Sequence, residues 1–158
     1  MNRVNRILEN KTFKSTLDAL AKAEKKRIFC KHNIEHLLDV ARIMYIFSLE
    51  NNISLDKEII YATALLHDIG RERAYRLHTD HAVESGKIAN EILAECGFSF
   101  DEIEKITSAV SHHNDKENAD ELCKILRFAD KKSRNCFMCS AYAECNWSED
   151  KKNRGIML

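Results

Sequence analysis

The sequence predicts an all-α fold, a compact multi-helix bundle, on three observations. It contains no proline, it has only four glycines in 158 residues, and its apolar residues recur three or four positions apart along most of its length. With so few helix breakers, helix should dominate. A chain of this size can bury most of its apolar surface in one core.

The elements follow in order. A first helix is predicted from Thr16 to Phe29, where Leu17, Leu20, Ala21, Ala23 and Ile28 keep helical spacing. A second, from Ile34 to Leu49, repeats Ile34, Leu37, Leu38, Ala41, Met44, Tyr45 and Leu49. Ser54 is a plausible N-cap for a third through Ile59, Ile60, Ala62, Ala64 and Leu65, which closes at Gly70. Thr79 or Asp80 caps a fourth with Val83, Ile88, Ala89, Ile92 and Leu93 on one face and a stop at Gly97. Asp101 opens a fifth that turns Ile103, Ile106 and Val110 inward. Ala119 to Ser133 forms a sixth carrying Leu122, Ile125, Leu126, Phe128 and Ala129.

Composition narrows the function classes. Lys plus Arg (25) equals Asp plus Glu (25), so no long-range field draws the chain to nucleic acid or to an anionic membrane. No stretch approaches the roughly 18 apolar residues of a membrane span, and the opening MNRVNRILENK lacks the apolar core of a signal peptide. A cytoplasmic location is therefore expected. In that reducing compartment the six cysteines are expected as free thiols or metal ligands rather than disulfides. There is no repeat and no Gly/Ser/Pro-rich linker. Only the segment after Asn135 changes character, gathering three cysteines, the single Trp and a closing run of charge. The expected organisation is a helical domain over residues 1–134 and a Cys-containing tail, 135–158, packed on it.

His36, His67 with Asp68, His81, His112 and Asp130 fall at the ends or along single faces of predicted helices. Converging helices can surround an ion where one helix cannot. Imidazole with carboxylate suits Mn, Fe, Co or Zn. His67-Asp68 follows the apolar run Ala62-Thr63-Ala64-Leu65-Leu66, so both side chains should be deeply buried. A buried carboxylate needs a compensating partner. A cation supplies one, and a metal-free His-Asp hydrogen bond is the alternative.

Three segments, His36-Leu37-Leu38-Asp39-Val40-Ala41, Leu65-Leu66-His67-Asp68-Ile69-Gly70-Arg71 and Arg127-Phe128-Ala129-Asp130, resemble the HD-domain superfamily of metal-dependent phosphohydrolases. They are similar to its first-histidine helix, its name-giving His-Asp pair and its closing aspartate. The resemblance covers roughly Phe29 to Arg134. It implies that His36, His67, Asp68 and Asp130 bind one metal, with Asp68 able to bridge to a second ion held by His81 and His112. The alternative for the last two is contact with substrate phosphate.

One or two divalent ions would activate water and neutralise a phosphoryl group, with Asp68 as the catalytic residue orienting and deprotonating that water. Arg71 is a candidate phosphate ligand, the alternative being a surface ion pair with Glu72. His113, pointing about 100° from His112 on a continuing helix, is a candidate for substrate contact or outer support of the site. His32, one turn before His36, is expected in a supporting or surface role. Lys131, Lys132 and Arg134 are read as cations complementing a helix C-terminus.

Cys136, Cys139 and Cys145 have the spacing C-x2-C-x5-C, which suits a zinc ion or an iron–sulfur cluster if Cys30, Cys123 or a histidine supplies the fourth ligand. The alternative is three reduced thiols serving as small apolar side chains. The expected function is metal-dependent hydrolysis of a nucleotide or another small phosphorylated metabolite. The alternatives are a non-catalytic nucleotide, metal or redox sensor, and a di-iron oxygenase of the HD type. The apolar end Ile156-Met157-Leu158 could dock on the bundle or on a second subunit, and the oligomeric state is not readable.

Overall fold

Eight α-helices and one short 3-10 turn make up the regular structure of the computed structural model, which describes residues 1–115 and 120–156 and has no strand among them. The all-α expectation holds. Two helices were not foreseen. The first, α1 (Asn2–Glu9), is short and buries only Val4 and Ile7, too few for a periodic signal. Arg3 secures it, with Nε 2.7 Å from Glu58 Oε2, one terminal nitrogen 2.6 Å from Glu102 Oε2, and the guanidinium over the Phe98 ring.

α2 (Lys11–Ala23) starts and ends earlier than expected, because Asn10 caps it by accepting from the Phe13 N–H. Ile28, expected inward, is exposed. α3 (Ile34–Glu50) is capped by Asn33, which accepts from the His36 N–H and so starts the helix that carries His36 inward. α4 (Lys57–Leu66) is capped by Asp56 rather than Ser54, and every residue from Ala62 to Leu66 is buried. It packs against α3, α7 (Phe100–Ser111) and α8 (Glu121–Lys132) at the centre of the bundle, so His67 and Asp68 emerge at the end of the most enclosed helix.

The second unforeseen helix, α5 (Arg71–Leu77), fills the connection from Asp68 to His81 and ends at His78 with a left-handed φ of 55°. α6 (His81–Cys96) is capped by Asp80 and terminates at Gly97, whose φ of 84° few other residues adopt without strain. α7 (Phe100–Ser111) starts one residue before Asp101 with a capping box between Ser99 and Glu102. α8 is capped by Asp120, and the predicted start at Ala119 lies outside the described residues.

Gly70, just before α5, lies against the backbone of α6 at Glu84 and Ser85. Its N–H donates to Ser85 Oγ at 2.9 Å, and a Cβ on it would lie 2.2 Å from the Ser85 backbone nitrogen. This approach brings the first turn of α6, with His81, against the His67-Asp68 corner.

After α8 the chain makes a 3-10 turn (Cys136–Met138) and a series of turns. Asn153 Nδ2 ties these back to the bundle, donating to Lys131 O at 2.7 Å and Arg134 O at 2.8 Å. Ile156 is exposed, and Met157 and Leu158 lie outside the described residues. Among those described, no helix is long and apolar enough to cross a membrane.

Candidate metal centre

Five helix ends converge on Asp68. His36 comes from the first turn of α3, His67 and Asp68 from the end of α4, His81 from the start of α6, His113 from just past α7 and Asp130 from the last turn of α8. One ligand atom each from His36, His67, Asp68 and Asp130 lies within 4.8 Å of the others, and the same holds for Asp68, His81 and His113. Asp68 belongs to both groups. Its Oδ2 is 3.2 Å from His67 Nε2 and 3.7 Å from His36 Nε2, while its Oδ1 is 3.3 Å from His81 Nε2 and 3.8 Å from His113 Nε2.

The donors are also prepared for a cation. His67 Nδ1 donates to Ala64 O at 2.7 Å, and His113 Nδ1 donates to Val110 O at 2.6 Å. The Ser133 hydroxyl donates to Asp130 O at 2.7 Å, so it accepts from His36 Nδ1 at 3.1 Å. With Nδ1 used as a donor, each ring turns its Nε2 toward the carboxylates, the nitrogen whose lone pair a metal would take in place of a proton. His67 Nε2 and both Asp68 oxygens are fully buried without an aligned hydrogen-bond partner. Such orphaned groups cost several kcal/mol in a protein interior, and a cation removes that cost. These residues therefore fit a divalent ion.

Electrostatics agree with that chemistry. Burial would push the Asp68 carboxyl up, but His67 and Arg71 outweigh it and hold the group well below the usual carboxylate range. Asp130 is held down against its burial by His36, His67 and Arg134. Burial likewise disfavours a charge on His67, yet without an ion the Asp68 and Asp130 charges hold its imidazole up at about 10. His113 is lowered to about 4, chiefly by burial.

The structure places several candidates differently from expectation. His112 faces solvent and donates from Nδ1 to Ser108 O, whereas His113 is buried beside Asp68, with Nε2 3.2 Å from His81 Nε2. The 100° step assumed a continuing helix, but α7 ends at Ser111 and the turn that follows rotates His113 inward. Arg71 pairs with Asp68, its Nε 2.8 Å from Oδ1 without hydrogen-bond alignment, and not with Glu72, which faces Arg76. Arg134 does more than complement a helix end. It is buried, 2.6 Å from Asp130 Oδ1 and 3.3 Å from His36 Nε2.

His32 is buried too, with Nε2 3.7 Å from Asp68 Oδ2. Its Nδ1 donates to Glu24 Oε1 at 2.6 Å, and Glu24 also accepts from the His32 N–H and from the Tyr75 hydroxyl. Burial would raise the Glu24 carboxyl, but the His32 hydrogen bonds bring it down to about 2. His32 itself is lowered by burial to about 4. Sequence reasoning missed Glu24, since a lone acid just past α2 carries no signal. Cys136, Cys139 and Cys145 do not close on a single point, because no three cysteine sulfurs lie within 4.8 Å of one another among the described residues.

Comparison with known proteins follows the same residues. The HD domain family matches residues 33–135. An uncharacterized protein of Clostridium beijerinckii is 42% identical over 153 residues, covering 97% of both chains. Uncharacterized protein MJ0778 of Methanocaldococcus jannaschii is 35% identical over 88 residues, 53% of this chain and 46% of that protein. Ribonuclease Y of Mycoplasma mycoides is 31% identical over 97 residues, 61% of this chain but 21% of that protein. No solved structure matches the chain significantly. The matched span runs from the N-cap of α3 past the end of α8 and contains every helix that supplies the two His/Asp groups, and the chain belongs to the HD-domain family.

Proposed function

We propose that the protein is a metal-dependent phosphohydrolase acting on a nucleotide or another small phosphorylated metabolite. The observation that carries this reading is Asp68: a fully buried carboxylate with no aligned donor on either oxygen, shared by two groups of potential ligands. His36, His67, Asp68 and Asp130 would hold one ion, and Asp68, His81 and His113 a second, from among Mn, Fe, Co or Zn. Divalent ions held there supply charge for phosphoryl oxygens and lower the pKa of water toward neutrality.

The chain's own residues do the rest. Asp68, shared by both ligand groups, would orient the attacking water. Arg71 and Arg134, each already beside a ligand carboxylate, present guanidinium groups where phosphate oxygens would lie. They open with His32, Asp130, Arg27 and Lys131 onto a cavity of about 500 Å³, room for a small phosphorylated molecule rather than a folded nucleic acid.

The test is elemental analysis of protein purified without chelator, with phosphate release measured over a panel of nucleotides and phosphate monoesters. Wild type is expected to carry one or two transition-metal ions per chain and to turn over at least one substrate. Asp68→Ala, and the isosteric Asp68→Asn, should lose both metal and turnover. Metal without turnover on the whole panel would refute hydrolysis, and unchanged metal in both variants would refute the ligand assignment.

A further inference from the structure

Four of the six cysteines line the cavity in front of the His/Asp centre: Cys30 from the α2–α3 connection and Cys136, Cys139 and Cys145 from the tail. The other two, Cys96 and Cys123, are buried in the helical core. We propose that Cys30, Cys136, Cys139 and Cys145 ligate an iron–sulfur cluster of the four-cysteine class, which latches the tail onto the bundle.

Three observations support the assignment independently of the hydrolase reading. First, the tail is poorly supported by apolar packing. Among its described residues only Cys136 and Ala141 are buried hydrophobics; Asn153 ties it to the bundle through hydrogen bonds, and Lys152 on Tyr142 O and Glu149 braces it internally. Segments with so little core are held by a cross-link or a metal.

Second, the spacing of the sulfurs suits a cluster better than a single ion. Tetrahedral zinc with bonds of about 2.3 Å needs its sulfurs roughly 3.8 Å apart. Among the described residues no three cysteine sulfurs lie within 4.8 Å of one another, yet all four cysteines line one cavity of about 500 Å³. A multi-iron core spreads its four cysteines around a larger body.

Third, the same cavity is lined by Arg27, Arg71, Lys131, Arg134 and Lys152, of which Arg71, Arg134 and Lys152 are paired with Asp68, Asp130 and Glu149, and by a single carboxylate among the described residues, Asp130. Cations around the cavity offset the negative charge of a cysteine-ligated cluster. The cluster would then form one wall of the substrate cavity and hold Tyr142 and Trp147 in place beside it.

The full chain would be produced with ample iron, purified without oxygen or chelator, and assayed for acid-labile sulfide, iron and visible charge-transfer absorption. Sulfide is decisive because iron in the His/Asp centre contributes none. About two sulfides per chain are expected for a 2Fe–2S core and about four for a 4Fe–4S core, both of which take four cysteines. Cys30→Ser, Cys136→Ser, Cys139→Ser and Cys145→Ser should each lose sulfide and colour while keeping the helical circular dichroism of the bundle. Cys96→Ala and Cys123→Ala should keep the sulfide. Sulfide-free wild-type protein, including protein with one zinc per chain in its place, would overturn the proposal. So would full retention of the cluster in Cys30→Ser. Should a variant fail to fold, the wild-type sulfide content still decides.

Discussion

Replacing Gly70 by Ala adds one methyl group at the point where the His67-Asp68 corner touches α6. The added Cβ would sit 2.2 Å from Ser85 N, 2.6 Å from Glu84 C and 2.8 Å from Ser85 Cα, all backbone atoms that no rotamer change can move. Ordinary contact begins at 3.4 Å, so α6 must retreat by more than 1 Å. The φ of Gly70, −83°, is open to any residue, so the penalty is steric rather than conformational. Overpacking of this kind costs about 1–3 kcal/mol, and more where backbone must move. For a chain of this size that lowers Tm by roughly 2–4 °C per kcal/mol.

The same retreat carries His81, one turn before Ser85, away from Asp68 Oδ1, now 3.3 Å from its Nε2. Thermal unfolding and metal content measured on one preparation should therefore fall together in Gly70→Ala, with the ion proposed at Asp68, His81 and His113 lost first. Gly155→Ala, where nothing lies within 4 Å, is the matched control and should be neutral. A Gly70→Ala protein with wild-type Tm and metal content would refute the close-approach argument.

Two further outcomes are expected. His113→Ala should lower bound metal by about one ion per chain and reduce turnover at least tenfold, while His112→Ala, at an exposed helix end, should leave both near wild type; metal analysis of the pair decides. Metal-free protein should lose stability in mild acid. His32 and His113 titrate at about 4 when folded, below the ~6.5 of an unfolded imidazole, so between those values the unfolded chain binds more protons. Their contribution is complete above pH ~6.5 and lost as pH falls toward 4, a loss of roughly 2–4 kcal/mol between pH 7 and 5 by urea unfolding after chelation. His67, raised to about 10, acts with the opposite sign, its contribution complete below pH ~6.5 and lost as pH rises through 10. Equal urea midpoints at pH 7 and 5 would contradict the burial of His32 and His113.

What the sequence determined was local. Freedom from proline and the three-to-four spacing of apolar residues specified helix, because each signal lies within one or two turns of chain. The run Ala62 to Leu66 announced a buried helix and therefore buried side chains at His67 and Asp68. The three motifs around His36, His67-Asp68 and Asp130 were legible for the same reason, each being contiguous in the chain.

The tertiary structure decided what depends on distant segments meeting. α1 has too little apolar periodicity to be read alone, and it is held by Arg3 reaching Glu58 and Glu102. Choosing His113 over His112 required knowing that α7 stops at Ser111, since a single residue of unwinding reverses which ring points inward. The role of Glu24 exists only because α2 ends beside His32, and that of Arg134 only because the chain turns back after α8 onto Asp130 and His36. Cys30 meets the tail cysteines across more than a hundred residues, at one cavity beside Asp130. Propensity acts over a few residues, whereas a site for charge forms where packing leaves a buried carboxylate without a donor, and only the folded chain shows where that is.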